Sequence, residues 1–224
     1  MPNLFSEFQK FSLSHGVSSS TLDYYEKQVQ SSLTPYILEE REMRVTQMDI
    51  FSRLMMDRIL WVAGPVRDSM STVVQAQLMF LDSVDGRDIT MHIDSPGGSV
   101  KAGLSMVDVM QYIKSDISTI NTGMAASMGS VLLGAGTKGK RFSLRFSKVM
   151  LHQSSGGFEG NIQDAKIDFQ EWEKVNKILF ELLGNFCGKD PAKVQEDATR
   201  DFWLDAEEAK AYGIIDGVIT RKAN

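Results

Sequence analysis

The sequence predicts an α/β fold of repeated β-α units, and three observations carry that prediction. From residue 50 onward, short apolar runs rich in Val and Ile alternate with longer stretches of helical period. Two turns of small residues, Pro96-Gly97-Gly98 and Ala125-Ala126-Ser127, stand where such a run passes into a helix. The 224 residues, 42% of them hydrophobic, suffice for one substantial core with an appendage.

The appendage comes first. Residues 1–32 are rich in Ser and Gln with a short helical patch over 22–30, and they read as an N-terminal extension ahead of a single domain spanning 33–224. Strands are expected over 59–62, 89–93 and 117–121, helices over 69–84 and 100–114, and a further helix opened by Ser127. Residues 138–152 read as a hairpin-like pair, 141–144 with 148–151, ending at His152. A loop with Gly156, Gly157 and Gly160 leads into a long helix over 162–185 capped by Asn161. Along it Ile162, Ala165, Phe169, Trp172, Leu179, Leu183 and Phe186 recur at steps of three and four, with polar Asn176 in the same register. Such a stripe wants a covering surface, either the chain's own core or a partner. Near the end, Asp205 followed by Glu208 has the form of a capping box.

Composition excludes several functions. A net charge of −5 without a Lys/Arg cluster gives no reason to expect nucleic acid or an anionic membrane as partner. The N-terminus lacks a secretory pattern, and apolar runs such as 59–63 and 131–133 fall far short of the ~20 residues of a membrane span. Cys187, the single cysteine, can form no intrachain disulfide and suits a packing role in a reducing compartment; a soluble, cytoplasmic protein is expected. There is no His-Glu-x-x-His and no histidine pair at ligand spacing, so no metal is expected. No cofactor is expected either, since the Gly-Lys pairs at 139–140 and 188–189 are not followed by Ser or Thr and make no Walker signature.

The chemistry centres on Asn121-Thr-Gly-Met-Ala-Ala-Ser127-Met-Gly129, which sets a serine where an extended run meets a helix. Taken alone, such a stretch is usually a tightly packed helix start. A serine hydroxyl needs a base within hydrogen-bond reach, itself oriented by a third group. Of three histidines, His15 lies in the Ser-rich start and His92 inside an apolar run, which leaves His152. Asp197, Asp201 and Asp205 all follow, and the residues themselves do not choose among them. Ser127 preceding His152 and an acid matches none of three familiar triad orders, and Ala125 stands where a nucleophile elbow has its first glycine. The common esterase and trypsin-like folds are thereby disfavoured.

From about residue 35 to residue 220 the chain resembles the proteolytic subunits of the Clp protease family, which have a crotonase-like fold. The resemblance is carried by Phe51-Ser-Arg-Leu54, Asp94-Ser-Pro-Gly-Gly98, Gly123-Met-Ala-Ala-Ser-Met-Gly129, Lys138-Gly-Lys-Arg-Phe142, Met150-Leu-His-Gln153 and Glu208-Ala-Lys-Ala-Tyr-Gly213. It implies Ser127 as nucleophile, His152 as general base, Asp201 as orienting acid, and the N–H groups of Gly98 and Met128 as oxyanion hole. It further implies an axial N-terminal loop over 33–45 and a protruding handle of strand and long helix over 153–186, through which two heptameric rings stack and enclose the active sites. The implied activity is endopeptide hydrolysis, of short peptides unaided and of unfolded polypeptides fed by a hexameric Clp/Hsp100 ATPase, which alone uses ATP.

Apolar clefts receiving that ATPase would include Tyr112, Ile120, Phe142 and Ile219, and residues 1–32 would include a removable propeptide. His92 stands where the family commonly has tyrosine. Ser154 stands where it often has proline, a change expected to loosen the loop after the base. Arg200 beside Asp201 is expected to join the rings through an ion pair, so that Arg200→Ala would lower assembly and activity together. Two other functions stay in view: a catalytically silent ring subunit that modulates an active paralogue, and a coenzyme A-dependent lyase or hydratase of the same fold, which needs no serine nucleophile.

Overall fold

The computed structural model describes residues 36–41, 44–157 and 161–220, so residues 1–32, His15 and the patch over 22–30 lie outside the described residues. The chain forms two compact units, residues 1–53 and residues 54–224. In the first, β1 (Tyr36–Arg41) and β2 (Arg44–Asp49) make an antiparallel hairpin registered from Tyr36↔Asp49 to Arg41↔Arg44. Most of the expected axial segment, 33–45, falls on this hairpin. Helix α1 (Ile50–Met56) follows; Asp49 starts it, its carboxylate accepting from the N–H groups of Phe51 and Ser52, each at 3.0 Å.

The second unit is built on a seven-stranded sheet. Strands β3 (Ile59–Ala63), β4 (Ile89–Ser95), β5 (Ile117–Ala126), β6 (Arg141–Leu144) and β9 (Gly217–Ile219) run parallel in that order; β7 (Lys148–Leu151) lies beside β5, and β8 (Phe202–Leu204) lies antiparallel beside β7. Parallel neighbours need crossovers, supplied by α2 (Asp68–Val84) and α3 (Val100–Tyr112). Both helices turn an apolar face inward, with Val74, Leu78 and Leu81 on α2 and Met106, Val107 and Met110 on α3 buried in the core with Ile89, Met91 and Ile93 of β4. The strand period of two sends Thr90 and His92 to the opposite, half-open face.

Residues 141–151 are not a hairpin. β6 and β7 both run parallel to β5: β6 pairs with its first half, from Thr119↔Arg141 to Asn121↔Ser143, and β7 with its last residues, from Met124↔Lys148 to Ala126↔Met150. At ten residues β5 is long enough to carry both strands in succession, and a turn over 145–147 moves the chain along it. Buried Asn121 seals the junction, donating from its side-chain amide to the Lys148 carbonyl at 2.9 Å and accepting from the Gly123 N–H at 3.3 Å. The apolar alternation of two short strands is the same in either arrangement, which is why pattern alone suggested the wrong partner.

Helix α4 (Met128–Gly134), which follows the end of β5, is wholly buried. Long helix α5 (Ile162–Cys187) begins as expected at Asn161, whose side chain accepts from the N–H groups of Gln163 and Asp164. Its apolar stripe divides. Leu179, Phe180 and Leu183 are buried in the chain's own core, whereas Ile162, Ile167 and Phe169 in the first half are exposed. Residues 152–157, ahead of it, are irregular. Helix α6 (Pro191–Asp197) and helix α7 (Ala206–Tyr212) follow, and the capping box at α7 forms as expected, with Asp205 bound to the Glu208 N–H and Glu208 to the Asp205 N–H.

Cys187 packs at the end of α5, where burial pushes its thiol up to about 11 despite the nearby charges of Arg141 and Lys189. At neutral pH the thiolate is therefore scarce. Iodoacetamide at pH 7.5 is expected to leave Cys187 unmodified in the folded protein while a small-molecule thiol reacts to completion; stoichiometric alkylation on the same timescale would refute this burial.

Candidate active site

Ser127 stands between the last residue of β5 and the first of α4 with φ 54° and ψ −123°, a conformation that a non-glycine residue adopts at a cost of about 1–3 kcal/mol. The surroundings hold it there. Its N–H donates to the Met150 carbonyl at 2.9 Å, and its own carbonyl accepts from the Ser130 hydroxyl at 2.6 Å. The sharp turn lifts the hydroxyl clear of both flanking elements, as a nucleophile elbow does, although Ala125 occupies the first glycine position.

Strand pairing brings His152 to this hydroxyl. Ala126 pairs with Met150, so β5 and β7 finish side by side, with Ser127 just beyond one and His152 just beyond the other. β8 adds Asp201 by the same logic: Leu151 lies opposite Phe202, and the antiparallel register continued by one residue sets His152 opposite Asp201. The result is a relay in which His152 Nε2 is 2.9 Å from Ser127 Oγ and His152 Nδ1 is 3.2 Å from Asp201 Oδ1.

The rival carboxylates are engaged elsewhere. Asp197 accepts from the Tyr212 hydroxyl at 3.0 Å and pairs with Lys193 at 2.7 Å, while Asp205 caps α7. The side-chain hydrogen bond from Lys193 holds the Asp197 carboxyl below its ordinary value, against the desolvation that raises it. His92 stacks on Trp61 with ring centres 4.8 Å apart, and its buried Nδ1 has no hydrogen-bond partner. Burial accordingly lowers its pKa.

The glycine turn lies directly against the serine. A Cβ on Gly97 would fall 2.6 Å from the Ser127 Cβ and 2.9 Å from the Met128 nitrogen, so only glycine allows this approach. Gly98, at φ 146°, bridges to Val66 through the bonds Val66 N–H to Gly97 O and Ser99 N–H to Val66 O. Its own N–H is left out of that bridge. Met128 is the first residue of α4, so its N–H has no acceptor within the helix. Gly98 and Met128, the two residues expected to form an oxyanion hole, thus both belong to segments packed at Ser127. Beside them Val100, Val131, Leu179 and Leu183 line a narrow apolar pocket that also touches Ser127 and His152. An open cleft of about 640 Å³ extends from His152 past Gln153, Ser154, Arg200 and Asp201.

Residues 40–222 match the Clp protease family. The chain belongs to that family. Its relatives include proteins named ATP-dependent Clp protease proteolytic subunit from Bacteroides fragilis strain YCH46, 50% identical over 96% of this chain and 99% of the relative, and from Porphyromonas gingivalis, 48% identical over 96% and 98%. A third, from Bacteroides thetaiotaomicron, is 49% identical over 96% and 99%. The mixed α/β architecture agrees with this membership. No helix among the described residues is long and apolar enough to cross a membrane, and no cluster of three His, Cys, Asp or Glu among them could hold a metal ion.

One expectation near the site is overturned. Ser154 does not loosen the loop after the base: its hydroxyl accepts from Trp172 Nε1 at 2.6 Å and donates to Asn176 Oδ1 at 2.9 Å. The signal was present in Asn176, a polar residue in an apolar stripe, but its partner lies 22 residues away and outside any local pattern.

Proposed function

We propose that this chain is the serine endopeptidase subunit of a self-compartmentalised, ATP-dependent protease, with Ser127 as nucleophile, His152 as general base and Asp201 as orienting acid. The observation that carries the reading is the continuous relay from Ser127 Oγ through both His152 nitrogens to Asp201. His152 Nε2 takes the hydroxyl proton as Ser127 attacks the scissile carbonyl, and returns it to the leaving amine; water then releases the acyl group by the reverse sequence. The N–H groups of Gly98 and Met128 bind the developing oxyanion. The strained turn at Ser127 keeps the hydroxyl in place between turnovers. Neither a metal nor a cofactor enters any step.

The named relatives support a Clp/Hsp100 ATPase as partner, which would unfold polypeptides and consume the ATP. A row across the sheet's open face suits its docking: Trp61, His92, Ile120 and Phe142 are successive register partners on β3, β4, β5 and β6. Exposed Tyr112 and Ile219 extend the apolar surface. Self-assembly into two stacked heptameric rings is supported by the open first half of α5, whose exposed Ile162 and Ile167 call for a second copy, and the assembly is placed in the cytoplasm. Arg200, at the rim of the cleft, would join the rings. A cleavable segment within residues 1–32 and an axial role for 33–45 complete the proposal.

The test uses the full chain after size exclusion. A fluorogenic peptide is expected to be cleaved by the wild type and not by Ser127→Ala at the same elution volume, and a fluorophosphonate is expected to label Ser127 only when His152 is present. Label uptake without peptidase activity, with activity appearing on mixing with a second subunit, would instead support the silent ring subunit. Absence of labelling would favour a lyase or hydratase that needs no nucleophile.

A further inference from the structure

We propose that Ser154, Trp172 and Asn176 are positioning residues for His152, forming a latch by which helix α5 holds the loop of the base; this rests on the function proposed above.

The latch has a single consistent hydrogen-bond order. Trp172 Nε1 can only donate, so the Ser154 hydroxyl accepts from it at 2.6 Å and turns its own proton to Asn176 Oδ1 at 2.9 Å. The Ser154 backbone N–H reaches the same oxygen at 3.2 Å. Asn176 Oδ1 therefore takes two donors, which settles the orientation of its amide. Trp172 and Asn176 stand one turn apart on the same face of α5, so one serine can engage both. The loop also lies over the indole: a Cβ on Gly156 would be 3.8 Å from the Trp172 ring.

What the latch holds is the base. Strand β7 ends at Leu151, so His152 is the first residue beyond the ladder. Its side-chain partner Asp201 is 61% exposed and on a loop, which makes that bond a weak anchor. Backbone support comes from either side of the following dipeptide: the Gln153 N–H donates to the Ala198 carbonyl at 3.1 Å, and Ser154 is tied to α5. Beyond it, residues 155–157 are exposed and irregular, so Ser154 is the last tethered residue of the loop among those described. Releasing it frees His152 to drift from the 2.9 Å contact with Ser127, and displacement of a catalytic group by even an ångström is expensive in rate.

The experiment compares wild type with Ser154→Ala, Asn176→Leu, Trp172→Phe and Ser154→Thr as full chains. It reads kcat and KM for a fluorogenic peptide, the fluorophosphonate labelling rate at Ser127, and elution volume. Ser154→Ala and Asn176→Leu are expected to lower kcat about 10- to 100-fold with KM within about twofold, and to slow labelling in parallel at unchanged elution volume. Ser154→Thr, which keeps the hydroxyl, is expected to recover to within about threefold of wild type. Should Ser154→Ala or Asn176→Leu fail to assemble, Trp172→Phe decides, since it keeps an aromatic ring at the site and removes the indole N–H.

A rise in KM at constant kcat would make these pocket residues rather than positioning residues and overturn the latch, as would unchanged kinetics or no recovery with threonine. An active wild type with unaffected variants overturns the latch alone. A wild type that neither cleaves nor labels overturns the proposed function and the latch with it.

Discussion

Replacing His152 with alanine is expected to lower kcat for a short peptide by about 10⁵–10⁶-fold, and replacing Asp201 with alanine by about 10⁴-fold. The difference follows from geometry. Among the described residues, His152 is the basic group hydrogen-bonded to the Ser127 hydroxyl, at 2.9 Å, and its side chain is only 24% exposed. Without it the serine stays protonated at neutral pH and attack is lost. In the proposed triad Asp201 acts one step removed, orienting the imidazole and stabilising the imidazolium across 3.2 Å from an exposed position, where water replaces part of what is removed. A triad of this kind acts as a unit, so the double variant is expected to be no slower than His152→Ala alone. Kinetics on assembled protein at matched elution volume are the check. Multiplicative losses in the double variant would mean that the two side chains act independently and that the relay is not the catalytic device.

Asp216→Ala is expected to destabilise the subunit by about 3–5 kcal/mol, because it strands a buried charge. Arg141 is 3% exposed on β6, and Asp216 meets it in a forked pair, Nε to Oδ2 at 2.9 Å and Nη2 to Oδ1 at 2.6 Å. Asp216 Oδ2 also accepts from the N–H groups of Gly139 at 2.7 Å and Arg141 at 3.0 Å, while Arg141 Nη1 donates to the Phe186 carbonyl at 2.8 Å. One carboxylate thus ties β6, the turn before it and the segment before β9 together, and the guanidinium adds the end of α5. For a chain of this size the loss corresponds to roughly 6–20 °C in Tm.

The same pair has a pH signature. Desolvation raises the Asp216 carboxyl, but hydrogen bonds from the Arg141 side chain and backbone and its charge outweigh that effect and leave it below the ordinary value. A folded pKa depressed in this way contributes stability that is complete above the unfolded value of about 4 and is lost as pH falls through the folded one. Thermal melts between pH 7 and pH 3 are therefore expected to show wild type losing more Tm than Asp216→Asn at the acid end. Parallel curves would mean that the pair contributes nothing across that window.

How much was legible in the chain varied with the range of the information. Helix starts were local and correct: Asn161 and the Asp205-Glu208 box need only residues two or three positions apart. Strand β5 was seen only as far as residue 121, because Gly123, Met124, Ala125 and Ala126 lack the β-branched signature, yet the pairing of Met124–Ala126 with β7 extends the strand to Ala126. The stripe on α5 was visible, but which half met the chain's own core was not.

By itself, the sequence determined the order and type of the elements from β3 to α5, the caps at Asn161 and Asp205, the glycine turn, and the choice of Ser127 and His152 as a candidate pair, since each rests on local periodicity or on there being three histidines to choose from. Only the tertiary structure decided that His152 meets Asp201 and neither Asp197 nor Asp205, that β6 and β7 share β5 instead of pairing together, and that Ser154 is latched to α5. The reason is physical. Strand register and side-chain hydrogen bonds join residues 22 to 49 positions apart, and the energy that selects one partner over another exists only once the sheet has closed around them.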